Sequence, residues 1–383
     1  MNQDAGRSSA PEQIQCAVSD TFQRWLSQAG GSLAITTYQA GKVALVGWDG
    51  RQVSLLMRQF DKPMGLAVDG HRMALATKHE VTLFANAPLL ARDFLVEQPG
   101  RYDALYLPRV SYRTGDVNVH DLGFANDGLW IVNSRFCCLA GLSDEFSFVP
   151  RWKPRFISEV VPEDRCHLNG LAMVDGKPKY VTALGETDTV GGWREKKATG
   201  GVIIDVESGE TVVRGLSMPH SPRWNAHAKG APDEKAGRLF VLNSGAGELW
   251  QVDPNDGKHA VVCRLPGYLR GLSFVGPFAV VGMCQIREKH IFGGLPIQQT
   301  NQKLLCGVAV IDLRTGSVVG MLEFTSGCQE LYDIQFLPGV LRPMILNLEK
   351  EETRQAFTAP DFSYWLRPSS LILDDAASGS RSG

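Results

Sequence analysis

The chain lacks most of the short signatures that would name a chemistry at once. No glycine-rich G-x-G-x-x-G opens a helix, and there is no Walker loop, no H-E-x-x-H and no G-x-S-x-G. Eight cysteines are present but no Cys-x-x-Cys, which excludes a zinc ribbon. Their irregular spacing, with one adjacent pair at Cys137-Cys138, reads as ordinary buried thiols of a reducing compartment. No apolar run approaches the ~18 residues of a spanning helix. The N-terminus is polar without an apolar core, so no signal peptide is expected and the cytoplasm is the expected location. Neither sign of charge dominates: 39 Lys and Arg face 41 Asp and Glu, a formal net charge of −2. That balance gives no electrostatic case for nucleic acid or a membrane surface as partner.

What is present is β structure with a long internal period. Forty glycines and twenty prolines suit a turn-rich chain. From Leu33 onward, short apolar runs alternate with Gly, Asp and Asn turns. Ser32–Val46 aligns with Arg238–Val252, Leu129–Ser134 with Leu239–Ser244, and Gly201–Glu210 with the segment from Gly307. A slot ending in a short strand recurs about every 50 residues, which marks a repeat architecture. It reads Lys62-Pro-Met-Gly-Leu66, His120-Asp-Leu122, His167-Leu-Asn-Gly-Leu171, Met218-Pro-His-Ser-Pro-Arg-Trp224, Arg270-Gly-Leu272 and Glu330-Leu-Tyr-Asp-Ile334. Four strands per unit, with Asp-x-x-x-Gly turns between the third and fourth, predict an all-β, six-bladed β-propeller, with seven blades as the alternative. First strands should start near Met64, His120, Asn169, Pro222, Arg270 and Tyr332. The last unit should close the ring by pairing a C-terminal inner strand, Leu331 to Leu337, with N-terminal outer strands, Leu33 to Met57. One domain is expected over 20–370, opened by a short helix capped at Asp20. Tails without order are expected at 1–19 and 371–383. The stretch from Ala87 to Gly115 fits the repeat worst and could hide extra strands. The segments 187–199 and 288–304 read as long loops able to shape a site.

In a propeller the first strand of each blade lines the channel, and residues two apart face the same way. Met64, His120, Asn169, Arg270 and Tyr332 share one register. Lys62, Asn118, His167, Tyr268 and Glu330 stand two residues earlier, and His220 joins that earlier layer if Pro222 holds the register. Three histidines from three blades, His120, His167 and His220, are a transition-metal ligand set for a divalent ion such as Fe, Zn or Mn. Glu330 would be a fourth ligand or a general base, with Tyr332 beside it. An oxygen-rich alternative for Ca²⁺ or Mg²⁺ combines Asn169, Asn243, Asp121 and Glu330. Arg270 and Arg223 would clamp an anion, and Trp224 would offer a flat wall. The plainer alternative pairs Arg223 with Asp121 or Asp333 and packs Trp224 between blades. Asn133 and Asn243, ending second strands, should return to the same mouth as substrate contacts with Asn169. His227 has a weaker claim, and Cys166 should point away from the histidine face.

The segments Glu163–Ala172, Met218–Trp224 and Leu242–Leu249 resemble an uncharacterised bacterial family of conserved hypothetical proteins that carry a domain of unknown function. The resemblance spans roughly Phe22 to Arg367 and implies a propeller, without an activity. A remoter likeness, through the Asn169-Gly-Leu slot, is to gluconolactonase, senescence-marker and strictosidine-synthase propellers. In such enzymes it implies a divalent ion on Glu, Asn and Asp ligands, where this chain offers histidines instead. The expected function is a metal-dependent enzyme, of hydrolase, lyase or isomerase type, acting on a small, anionic substrate at the channel mouth. The alternative is a non-catalytic propeller that binds a small-molecule, peptide or protein ligand.

Overall fold

The computed structural model describes residues 13–226, 237–286, 293–300 and 302–367. Six antiparallel sheets form the blades of one propeller, so the six-bladed expectation holds and the seven-bladed one does not. Blade I takes its inner strand from the C-terminal side, Ile334–Pro338, and its outer strands from Gly31–Thr37, Lys42–Trp48 and Val53–Gln59. Blade II holds Leu66–Asp69, Arg72–Ala76, Glu80–Asn86 and Ala104–Arg113. Blade III holds Val119–Ala125, Gly128–Asn133, Cys138–Gly141 and Val149–Trp152. Blade IV holds Leu168–Val174, Lys177–Ala183, Gly201–Asp205 and Thr211–Leu216. Blade V holds Pro219–Asn225, Arg238–Asn243, Glu248–Val252 and His259–Arg264. Blade VI holds Tyr268–Val275, Phe278–Cys284, Gly307–Asp312 and Ser317–Ser326.

The middle strands read as continuous apolar runs because both faces of each sheet are covered by neighbouring blades. Gly31–Thr37 is buried along its whole length. The apolar side chains sort into one cluster per blade interface. Leu45, Leu66 and Leu75 join blades I and II, and Phe240, Leu272 and Val281 join blades V and VI. Leu33, Val280 and Ile334 join VI back to I. Burying one such leucine is worth about 1.5–3 kcal/mol, and the ring repeats that gain at every interface. The hairpins between third and fourth strands use the expected Asp-x-x-x-Gly turn. The amide nitrogens of Gly209, Gly257 and Gly316 donate to the carbonyls of Asp205, Asp253 and Asp312 at 2.8, 2.9 and 2.8 Å. These glycines have φ near +70°, a conformation costly for other residues.

Near the axis, polar side chains pin each first strand to the next. Asp121 Oδ2 accepts from Leu171 N at 2.9 Å, and Asn169 Nδ2 donates to Pro219 O at 2.9 Å. Ser221 Oγ accepts from Gly271 N at 3.0 Å, and Asp333 Oδ2 accepts from Leu66 N at 3.1 Å. The first three links each join residues 50 apart in sequence, so the repeat period is also the spacing of the interblade bonds. The strands converge here closely enough that a Cβ on Gly170 would stand 2.2 Å from Pro222 Cδ.

Both chain ends extend beyond the closure. Gln15–Val18 pairs antiparallel with the outer strand of blade VI, where a loose tail was expected up to residue 19. Its gain is the edge it covers. Pro343–Ile345 adds a parallel fifth strand to blade II. The helix Asp20–Gln28 buries Phe22, Trp25 and Leu26 as expected, but its cap is Ser19, whose Oγ accepts from Phe22 N at 3.1 Å, and not Asp20. The poorly fitting stretch 87–115 contains a short helix, Pro88–Arg92, before the outer strand of blade II. A C-terminal hairpin, Ala356–Ala359 with Phe362–Trp365, packs on that helix through Trp365 Nε1, which donates to Leu90 O at 3.1 Å. The tail expected over 371–383 lies outside the described residues.

Candidate functional site

A left-handed kink recurs where the chain enters a first strand. Lys62, Asn118, His167 and Met218 all have φ between 46 and 54°. In two blades this kink is followed by histidine at the second position and by proline or valine between. Val119 lies opposite Asn133, and Pro219 lies opposite Asn243, so His120 and His220 are equivalent. His220 therefore belongs to the register layer of Met64, His120 and Asn169. It does not belong to the earlier layer with His167, because Ser221 and not Pro222 takes the place of Asp121.

The kink holds both imidazoles the same way. His120 Nδ1 lies 3.0 Å from the carbonyl of Asn118 and 2.7 Å from Ser134 Oγ. His220 Nδ1 lies 2.8 Å from the carbonyl of Met218 and 3.1 Å from Ser244 Oγ. A carbonyl only accepts, so each Nδ1 carries the proton and each Nε2 is left with a lone pair. The Asn-Ser ends of the second strands thus matter through their serines. Ser134 itself donates to Leu168 O, and Ser244 to Leu242 O. Burial depresses both histidines well below the usual value, with His167 adding to the effect at His120 and Arg270 at His220. Both rings are neutral near pH 7.

His167 comes from the kink itself and is held by a carboxylate. Asp164 Oδ1 accepts from its Nδ1 at 2.8 Å. Asp164 Oδ2 accepts from Trp193 Nε1 at 3.1 Å and faces Arg194 Nη2 at 3.6 Å. Burial alone would raise the Asp164 carboxyl, but His167 and the indole bond outweigh it and hold it below the ordinary value. The other nitrogen of His167, Nε2, stands 3.2 Å from His120 Nε2.

These groups line a cavity of about 230 Å³ at one mouth of the channel, together with Arg270, Glu330, Tyr332 and Tyr38. Arg270 carries its guanidinium 5.5 Å from the Tyr268 ring centre and 4.9 Å from that of Tyr332. His220 Nε2 and the Tyr332 hydroxyl are buried in its wall without a hydrogen-bond partner among the described residues. Groups of this kind cost about 1–3 kcal/mol each when nothing completes them. Among the described residues no group of three or more His, Cys, Asp or Glu stands where it could hold a metal ion.

Of the residues singled out from sequence, His120, His167, His220, Arg270, Glu330 and Tyr332 meet in this cavity. Six others, Asp121 of the oxygen-rich set among them, do not line it. Arg223 lies deeper in the channel, where Nη1 meets Asp121 Oδ2 at 2.6 Å and Nη2 meets Asp333 Oδ1 at 3.3 Å, and with Trp224 it lines a separate cavity of about 610 Å³ and not the one that holds Arg270. Trp224 packs between blades on Tyr180, with ring centres 6.2 Å apart. Asn133 accepts from Phe136 N at 3.0 Å, and Asn243 accepts from Ser217 N at 2.7 Å while donating to Glu248. With Asn169 pinning blade V and Asp121 on Arg223, the oxygen-rich cation set is dispersed into structural bonds. Cys166 is fully buried away from the histidines, and burial raises its thiol pKa well above normal. His227 lies outside the described residues. Sequence reading missed Asp164 and Trp193. The first had a signal in its place three residues before His167. The second sits on a 3₁₀ turn, Gly192–Lys196, inside a loop already expected to shape a site.

A family model for a domain of unknown function, DUF4915, matches residues 20–346. The chain belongs to that family. No curated protein matches it. Among solved structures, a chain of a nidogen/laminin complex is similar, with 10% identity and a TM-score of 0.48 over 81% of this chain and 99% of that one. In the DUF4915 chain, no helix among the described residues is long and apolar enough to cross a membrane.

Proposed function

We propose that the channel-mouth cavity takes up a small anionic molecule bearing hydroxyl groups and performs acid–base chemistry on it. The observation that carries this reading is the pair of buried groups without partners among the described residues, His220 Nε2 and the Tyr332 hydroxyl, in the wall that also presents Arg270. A guanidinium and a phenol donate to carboxylate or phosphate oxygens. Bare imidazole nitrogens accept from hydroxyls. The Asp164–His167 pair has the form of an oriented base: the carboxylate holds Nδ1–H and turns Nε2 into the cavity. In this reading His167 accepts a proton from the substrate, Glu330 is a second acid–base group, and Arg270 offsets the negative charge that develops. The class is proton transfer leading to hydrolysis, elimination or isomerisation.

A thermal-shift screen of hydroxy acids, sugar acids and sugar phosphates tests it. A true ligand at a hundredfold excess over Kd stabilises by about 2.7 kcal/mol, or roughly 3–4 °C for a domain of this size. Arg270→Gln should abolish the response. If no small anion shifts the wild type, or if Arg270→Gln responds equally, the reading fails.

A second reading, a binding scaffold, has its own observation on the rim. Phe357 and Tyr364 pair across the C-terminal hairpin, and both, with Phe362 and Leu366, are exposed. An outward aromatic face of this kind suits a protein partner. Loss of partner capture in Phe357→Ser/Tyr364→Ser, with ligand response at the mouth intact, would favour it.

A further inference from the structure

We propose that His120 and His167 together hold one divalent transition-metal ion through their Nε2 atoms, and that the anion bound in the cavity completes its shell. The hydrogen bonds argue for it. His120 has its proton on Nδ1, fixed by the Asn118 carbonyl and Ser134. Ser134 cannot reverse that bond, because its own proton goes to Leu168 O. His167 has its Nδ1–H on Asp164. With both Nδ1 protons engaged, the two Nε2 atoms stand 3.2 Å apart with the rings at a steep angle. A positive centre shared by them, a proton or a metal ion, relieves the repulsion of their lone pairs.

The spacing suits the metal. Two bonds of about 2.0–2.1 Å at a tetrahedral angle place their nitrogens about 3.3–3.4 Å apart. A carboxylate and a backbone carbonyl behind the two rings are the usual outer partners of ligating histidines, which they orient. Imidazole pairs select Zn, Co, Ni, Cu or Fe over Mg or Ca. His220 Nε2, bare in the same cavity, can take a water of the shell. No third protein ligand stands at coordinating distance among the described residues, and Arg270 works against an unaccompanied dication. Metal and anion therefore bind cooperatively, each providing charge the other lacks. The completing anion rests on the cavity reading above and the two-histidine site does not; with the ion bound, His167 Nε2 is its ligand, and Glu330 takes the proton-accepting role of that reading.

The test uses the full chain, stripped by chelator and titrated with Co²⁺ and separately with Zn²⁺. Metal retained after desalting is counted, and the visible Co²⁺ spectrum is recorded. One equivalent is expected in the wild type, with affinity falling at least tenfold in His120→Asn and in His167→Asn. Asp164→Asn keeps both ligands but removes the carboxylate behind one, and a tenfold to hundredfold weaker affinity is expected; it carries the test if the histidine variants do not fold. Arg270→Gln should retain one equivalent of metal while losing the anion response. Less than a tenth of an equivalent in the wild type, or unchanged affinity in the histidine and Asp164 variants, overturns the proposal. A metal-stripped protein that still binds an anion and takes up no Co²⁺ overturns it too, while leaving the cavity reading in place.

Discussion

The channel has two polar regions built from the same repeated strand, and they differ in completeness. In the deeper one, Arg223 meets Asp121 and Asp333, and each carboxylate also accepts backbone amides from Leu171, Leu122, Leu66 and Ile334. One guanidinium on blade V thereby ties together blades III, IV, I and II. At the mouth, His220 Nε2 and the Tyr332 hydroxyl have no partner among the described residues, and two imidazole nitrogens stand 3.2 Å apart. Residue type alone does not separate the regions, since arginine, acid and aromatic occur in both. Satisfaction does. A closed network supports the fold, whereas an open one, buried at a cost, is where a ligand belongs.

Breaking the deep network should have the largest effect. Arg223→Met leaves two buried carboxylates facing each other without their cation. We expect a loss of about 3–5 kcal/mol, read by chemical denaturation. The mouth should show the opposite balance: Arg270→Gln should cost more in ligand response than in stability. A stability loss there equal to that of Arg223→Met would erase the distinction.

A subtler change sharpens it through pH. Burial raises the Asp333 carboxyl to about 7; the Arg223 charge opposes this, and the neighbouring Asp121 reinforces it. The unfolded chain titrates this group near 4. A folded pKa above the unfolded one favours the protonated form, so this group's contribution is full below about pH 4. It is lost as pH rises towards 7. Asp333→Asn should flatten that part of the stability curve. Identical pH dependence in wild type and variant would remove Asp333 as its cause.

The smallest expected effect is at the mouth. Tyr332→Phe removes a buried hydroxyl that has no partner among the described residues. The variant should be as stable as the wild type, or slightly more so, yet bind its anion several-fold more weakly, about 0.5–1.5 kcal/mol. Destabilisation by more than 1 kcal/mol would mean that the hydroxyl already serves the fold.

Much of the fold was legible in the chain because it is periodic. Blade number, ring closure and the Asp-x-x-x-Gly hairpins all follow from a repeat of about 50 residues. First-strand starts, expected at Met64, His120, Asn169, Pro222, Arg270 and Tyr332, fall within three residues of those observed. The edge-covering strands Gln15–Val18 and Pro343–Ile345 were not legible, since each is too short to carry a pattern of its own. The candidate site was half legible. Six of the residues that line the cavity were expected from shared register, but Asp164 and Trp193 reach it from a turn and a loop outside the repeat.

What the sequence determined alone, then, is the number of blades and which strand of each lines the channel, because strand alternation and a fixed period are local properties that repeat without reference to the whole. What only the tertiary structure decided is what each side chain meets there. Arg223 finds Asp121 and Asp333 102 and 110 residues away. His120 finds His167 because a left-handed kink turns each ring toward the mouth. Those partnerships depend on backbone direction at the strand entrances and on ring closure, which no single repeat encodes.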